Sequence, residues 1–382
     1  VFRCSPKSFE SATSRTVGQD AVASIRPIGP EPYGRLSSIK TTVRILKMSK
    51  SLQRTASHRN AVLQLQNHTK VSPSRLRELA QPSLGRFLFA LTCDWMIILA
   101  SLMVAAIYPT WWVIVPAMFV LGTRLHALGV LGHEATHYCI SRNRKLNDTI
   151  GVLFCFWPLG ASLAGYRHFH QRHHRHLGTD QDPERHFYQS EIWKIPVAPG
   201  KPLQRFFIGC VGGHIVEFGK LLQSLLPRSK AEWLGIPLWW ATFAMTLGLS
   251  GHLWLLAVYA ITIPTIFWAL IELRGWTEHR GIAETHRYQT HWLIREILFP
   301  HNVWMHYEHH QWCYIPFYNL PAARELDDST PVVALKEVFD FLGDADHDHY
   351  AARQGYTLTP DHFSGPTTEP HRRKELAADC PS

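Results

Sequence analysis

Charge is scarce in this chain. Asp, Glu, Lys and Arg make up 18% of its 382 residues, against about a quarter in an ordinary soluble domain. Acid is scarcest at the front, where residues 1–86 hold 15 Lys and Arg but only 4 Asp and Glu. The remainder holds 24 against 26, so the net +9 belongs to the front of the chain. Paired cysteines are missing as well. The seven cysteines, at 4, 93, 139, 155, 210, 313 and 380, never stand as CxxC. That argues against a disulfide framework and against a cysteine zinc site, and all seven read as reduced, apolar residues. No haem-binding domain, flavin or nicotinamide fingerprint, or iron–sulfur cysteine cluster occurs. No RNA- or DNA-binding motif occurs either, so the expected partners include no nucleic acid.

The front is rich in Ser, Arg and Thr, and the first methionine is Met48. Residues 1–47 read as an organelle transit peptide or as an upstream extension of a chain that starts at Met48. Residues 1–84 are expected to be a disordered basic tail, and 326–382 a C-terminal helix and polar tail. The apolar body lies between, at 85–325.

Within that body, residues 87–123 contain a single charge, Asp94. A helix crosses the hydrocarbon core in about 20 residues, so the runs on either side of Tyr108-Pro109-Thr110 form a hairpin of two spans. Trp233 to Ile271 contains no charged residue at all and breaks at Ser250-Gly251-His252 into a second hairpin. Tryptophans 233, 239, 240, 254 and 268 mark its ends like an interfacial belt. The stretch Thr149–Gly165 is short and broken by Pro158 and glycines, and reads as re-entrant. Residues 205–226 read as one amphipathic surface helix. The expected fold is an all-α membrane protein with four transmembrane helices in two hairpins under a histidine-rich helical cap. The links at 108–110 and 250–252 carry no Lys or Arg, whereas 142–145 and 167–185 are rich in Arg. By the positive-inside rule the cap and both termini are cytoplasmic, or stromal in an organelle.

Histidine is abundant, at 24 residues. His133 and His137 stand at i, i+4. His170, His173 and His174 stand at i, i+3 and i+4, and His306, His309 and His310 repeat that spacing. On a helix such positions share a face. At this histidine frequency chance supplies about 0.1 copies of HxxHH per chain, and two are found. Each cluster falls in a segment that the hairpins return to the same side. Eight neutral imidazoles exceed one tetrahedral zinc. They suit two metals of higher coordination, and nitrogen-rich ligation with open positions suits iron that binds O2. Glu134, Asp180, Asp182, Glu278 and Glu308 stand beside the clusters as candidates to hold the outer ring nitrogens.

These three boxes, their order and the intervening hairpins resemble the membrane fatty acid desaturase family, over residues 85 to 325. The motifs are Leu131-Gly-His-Glu-Ala-Thr-His137, then Tyr166-Arg-His-Phe-His-Gln-Arg-His-His174 with Gly178-Thr-Asp-Gln-Asp-Pro183, then Pro300-His-Asn-Val-Trp-Met-His-Tyr-Glu-His-His310 with Ile315-Pro-Phe-Tyr-Asn-Leu-Pro321. The resemblance implies a ninth ligand after the last span, matched by His279. His126 shares a helix face with His133 but reads as packing. The chain departs from the family pattern after box three, at Gln311-Trp312-Cys313. The resemblance further implies two iron ions, O2 as co-substrate and a lipid acyl chain as substrate. Loss of two neighbouring hydrogens would give a cis double bond. Two electrons would come from an external donor of the ferredoxin or cytochrome b5 type, with Arg167, Arg172, Arg175 and Arg185 as its dock.

Three other readings compete. A hydroxylase or carotenoid ketolase of the same family would use the same ligands. A membrane zinc protease would use His133-Glu134-Ala-Thr-His137 as HExxH with Glu134 as base, and leaves the other boxes idle. A metal transporter or sensor would need polar residues inside the spans, and 233–271 has none charged.

Overall fold

In the computed structural model, residues 71–343 are described apart from Asp180, Gln189, Pro199, Ala283, Asp328 and Ser329. The expectations for residues 1–70 and 344–382, and for Asp180, lie outside the described residues. The last part of the supposed tail is ordered: Pro73–Leu79 forms a short helix, α1, and buries Leu79. Asn319 donates to its last carbonyl at 2.7 Å.

The first hairpin is α2 (Leu84–Ile107) and α3 (Trp111–Thr136), with Tyr108-Pro109-Thr110 between them. Both are long and apolar enough to cross a membrane. Their outward faces carry exposed Phe89, Met96, Met103, Trp111 and Val115, the apolar surface that lipid, not water, would cover. Arg144–Gly151 is α4. It runs through one wide π-type turn and a 3₁₀ turn to Leu159, then bends by 94° into α5 (Leu163–His176). The pair has the composition of a broken span or a re-entrant turn, as its proline and glycines predict.

A four-residue helix, α6 (Arg185–Tyr188), leads to two surface helices, α7 (Lys201–Cys210) and α8 (Ile215–Ser224). The single amphipathic helix expected over 205–226 is therefore two. Gly212, at φ +84°, adopts a left-handed turn open to glycine and breaks the run. Next come α9 (Lys230–Leu249), α10 (Leu255–Thr262), a π-type turn at Ile263–Phe267, and α11 (Trp268–Glu278). Pro264 removes a backbone donor in that wide turn, the usual reason for one. The break at 250–254 falls where the sequence places it. The run Leu255–Glu278 is a third helix able to span. Helix α9 is 20 residues long but does not reach that hydropathy, with Lys230, Glu232 and three tryptophans in it. The structure thus has three such helices, or four with the bent pair.

The cap contains α12 (Trp292–Leu298), α13 (His306–Gln311), α14 (Leu320–Arg324) and α15 (Leu335–Gly343). It is not purely helical. A two-residue parallel pair joins β1 (Tyr288–Gln289) to β2 (Val333–Ala334). Arg287 causes it: its guanidinium donates to the carbonyls of Thr330, Arg324 and Asp327 and so folds that segment back.

One apolar core joins the helices of the membrane body, around Leu125, Leu128, Phe156 and Phe267. A second lies under the cap, around Tyr288, Phe299, Ile315 and Phe341. Small residues set the approach of α3. A Cβ at Gly122 would collide with Ile266, and one at Gly132 would lie 2.8 Å from the Phe156 ring. Four cysteines, 93, 139, 155 and 210, carry free thiols, but Cys313 is disulfide-bonded, against the expectation that all seven are reduced. It read as reduced because no CxxC neighbour marks it.

Candidate metal centre

Each histidine box is aimed by a buried polar contact. Box one ends α3, with His133 one turn before the cap residue His137. The last carbonyls of α3 would be orphaned. Arg167 of α5 satisfies them, donating to Ala135 O at 2.8 Å and Thr136 O at 3.3 Å while it pairs with Asp148 at 2.6 Å. One side chain therefore ties box one to box two. It is not available as part of a docking face for a redox partner, contrary to the expectation from sequence. Arg172 and Arg175 are exposed.

Box two lies on α5. Ser162 caps its start, accepting from Gly165 N at 2.8 Å, and donates to Glu232 Oε1 at 2.8 Å. The buried Glu232 carboxylate also accepts from Ala164 N, where a helix N-terminus favours negative charge. Box three lies on α13, too short to stand by its own backbone bonds. Glu308 holds it. Its fully buried carboxylate accepts from Arg287 Nε and Arg324 Nε, both at 2.7 Å.

The nine sequence-selected histidines meet in two groups, each with its ring nitrogens within 4.8 Å of one another. His133, His137, His170, His174 and His309 form one; His173, His279, His306 and His310 form the other. Helical spacing explains the division. The i, i+4 pair of box two (His170, His174) joins the first group and its i+3 ring (His173) the second. Box three does the reverse: His306 and His310 join the second group and His309 the first. The Nε2 atoms face inward. His133 to His170 is 2.8 Å and His174 to His309 is 3.0 Å in the first group. His279 to His306 is 2.9 Å in the second. Metal–nitrogen bonds of about 2.1 Å at right angles put neighbouring nitrogens about 3.0 Å apart, so the donor set fits an ion of coordination above four. The groups adjoin where His174 stacks on His310, centroids 4.2 Å apart.

Burial is the main reason these rings are neutral. It holds His279, His306, His309 and His310 well below the ordinary 6.5, and neighbouring imidazoles add to the effect. His137 is pushed down to about 3, by burial first and by Arg167 second. Neutral imidazole is the form that donates a lone pair to a metal.

The outer contacts are uneven. His173 Nδ1 donates to Asp182 Oδ1 at 2.9 Å, and Glu184 lies 3.8 Å away. On the inward side, Glu278 Oε2 lies 3.6 Å from His306 Nε2, and the Glu278 carboxylate takes one hydrogen bond on each oxygen from Arg274. His279 Nδ1 faces Glu284 O at 3.4 Å. Of the acids picked from the sequence, Asp182 and Glu278 stand at the rings. Glu308 serves the two arginines. Glu134 accepts from Phe317 N at 2.9 Å, a bond that ties box one to the segment after box three. Glu184 and Arg274 were missed. Glu184 was visible as an acid two positions beyond Asp182; Arg274 had no local signal. His126 is buried in α3 but outside both groups, and His214 pairs with Glu272 at 2.6 Å.

A cavity of about 160 Å³ reaches both groups, meeting His170 of the first and His279 and His306 of the second. Phe156, Phe218, Leu222, Phe267 and Trp268 give it an apolar wall. Near the imidazoles it turns polar, with Glu184, Tyr188, Arg274 and Glu278. Tyr166 lies in the wall, its ring stacked on His170 at 5.2 Å.

Comparison with known proteins agrees with this geometry. An sn-1 acyl-lipid omega-3 desaturase (ferredoxin) from Nostoc sp. (strain 36) is 27% identical over 285 residues, covering 65% of this chain and 76% of that protein. The dihydrorhizobitoxine desaturase of Bradyrhizobium elkanii is 24% identical over 270 residues, covering 61% and 73%. A chloroplastic omega-3 fatty acid desaturase of Glycine max is 26% identical over 264 residues, covering 59% and 56%. The profile of the family described as fatty acid desaturase matches residues 109–332, which takes in more than half of the chain and every histidine of both groups, and the chain belongs to that family.

Proposed function

We propose that this protein is an oxygen-dependent fatty acyl desaturase in which the five-histidine and four-histidine groups each hold one iron ion. The observation that carries this reading is the meeting of nine imidazoles in two adjoining groups at the end of an apolar cavity. Iron bound there would activate O2 to take two hydrogens from neighbouring methylenes. The balance is one CH2–CH2 unit, O2, two electrons and two protons giving one cis CH=CH unit and two waters.

The chain's own residues do the rest. The aromatic wall of Phe156, Phe218 and Phe267 holds an alkyl chain out of water and at one depth, which turns an encounter into a positioned reaction. Tyr166, stacked on His170, fixes that ring at the wall. Asp182 fixes His173 through its outer nitrogen. The substrate is a lipid acyl chain entering from the bilayer. Four helices cross the membrane in two hairpins, α2 with α3 and the less apolar α9 with the run Leu255–Glu278, and the boxes and both termini lie on the cytoplasmic side, or the stromal side in an organelle. Electrons come from a ferredoxin or a cytochrome b5-type protein docked at Arg172 and Arg175, on the face of α5 opposite His170 and His173. The Nostoc relative is named for ferredoxin, which supports that donor of the two.

Expression in a host of known lipid composition, followed by fatty acid methyl ester analysis, tests the reading. New unsaturated esters are expected. New hydroxy acids would point instead to a hydroxylase. One zinc per chain, no iron and no lipid product would overturn the desaturase reading.

A further inference from the structure

The one charge in the first apolar run, Asp94, has so far had no role. It is 1% exposed, in the middle of α2. An ionised acid at that depth is costly unless paired, and it marks a function when it persists. Its two oxygens have separate partners. Arg124 of α3 donates Nη1 to Oδ1 at 3.1 Å, and His301 donates Nε2 to Oδ2 at 2.6 Å. Arg124 also donates Nη2 to Glu296 O, the carbonyl of a residue in α12, at 2.9 Å.

Both contacts therefore reach from the α2–α3 hairpin to one segment, 296–301, which leads directly into box three. That segment needs holding. Helix α12 buries none of its residues. His301 and Asn302 both take left-handed backbone, at φ +55° and +56°, which costs energy for residues with a Cβ. Asn302 then donates to Phe317 O at 3.1 Å, and α13 starts four residues later. The cluster lies about 13 Å along α3 from His133, by helix rise, so it touches neither imidazole group.

We propose that the Asp94–Arg124–His301 cluster is a positioning pin that fixes the left-handed turn at 301–302 and thereby the aim of His306, His309 and His310. Box three supplies rings to both groups, so slack at this turn reaches both at once. The pin acts on the chain itself and does not depend on which metal binds.

Hydrogen exchange of the metal-free full chain in lipid nanodiscs tests it. In His301→Gln, which keeps the Asp94–Arg124 pair and so the hairpin, amides of 299–311 should exchange on the order of 100-fold faster, as loss of one partner of a buried ion pair allows. Amides of α2 and α3 should not change. Asp94→Asn should give the same local pattern, and the double variant should exchange no faster than the faster single, since the two residues act as one unit. Asp94→Glu, which keeps the charge, should restore protection. Unchanged exchange at 299–311 in His301→Gln would overturn the pin. So would acceleration spread through α2 and α3, which would make the cluster a general staple of the hairpin.

Discussion

The two imidazole groups use the same helical spacing in different surroundings. The group of five draws on α3, α5 and α13, and its rings pack on one another and on Tyr166. The group of four has fewer nitrogens but more acid: Asp182 on His173, Glu184 beside it, and Glu278 3.6 Å from His306. It also turns two rings to the cavity, His279 and His306, where the larger group turns one. Behind His173, the Asp182 carboxylate fixes the ring and raises its basicity. The two centres are therefore unequal, and the smaller one is the better placed to support added positive charge on an ion facing the cavity.

Emptying a group is the hardest way to break that comparison. His279→Ala leaves three nitrogens in the group of four and should cost one of two bound ions, with product formation down on the order of 100-fold or more. His133→Ala leaves four in the larger group, so both ions should stay while product still falls. Metal analysis and product assay on the same preparations separate these outcomes. Asp182→Asn comes next. It should weaken metal binding by about 10–100-fold, in the group of four only, read as one ion lost to a chelator before the other.

Acidity probes what both groups share. Unfolded imidazoles take up a proton near 6.5, while burial keeps these rings, and His286 at about 4, neutral in the fold. Below 6.5 the unfolded chain thus binds more protons, and stability falls as pH falls. Melting of the metal-free protein should be level above pH 7 and decline from about 6.5 towards 4. A melting point that does not move between pH 7 and 5 would mean that the rings are not held neutral. Arg172→Glu with Arg175→Glu touches neither group. It should raise the KM for the electron donor a few-fold, less so at high salt, and leave metal content alone. The smallest effect is expected from Glu134→Gln, whose amide oxygen still accepts from Phe317 N–H. Activity should stay within about two-fold, since a neutral acceptor replaces a charged one in a single bond; a general base would lose nearly all.

The sequence made the local features readable. Charge-free runs marked the helices, and i, i+3, i+4 spacing marked eight of the nine histidines, because both patterns are written within a few turns of one helix; His279 stands alone in the sequence and came from the family resemblance. Features that depend on distant chain were not readable. Nothing near Arg167 says that it closes the end of α3, and nothing near Glu308 says that Arg287 and Arg324 will surround it. The Gly212-Gly213 step is local, but the amphipathic pattern runs through it on both sides, so 205–226 read as one helix. The assignment of each ring to a group also needed the structure, since spacing gives a shared face and not which of two neighbouring centres a ring meets.

The split of each HxxHH pentad between two centres carries a cost in permitted change. One residue inserted inside either pentad would rotate every later ring by about 100°, sending a donor to the wrong centre or into the helix packing. Loops that hold neither a ring nor the turn at 301–302 can lengthen or shorten with far less consequence for the chemistry. Along this chain, then, tolerance to insertion should reach its minimum across two stretches of five residues, whatever lipid the protein consumes.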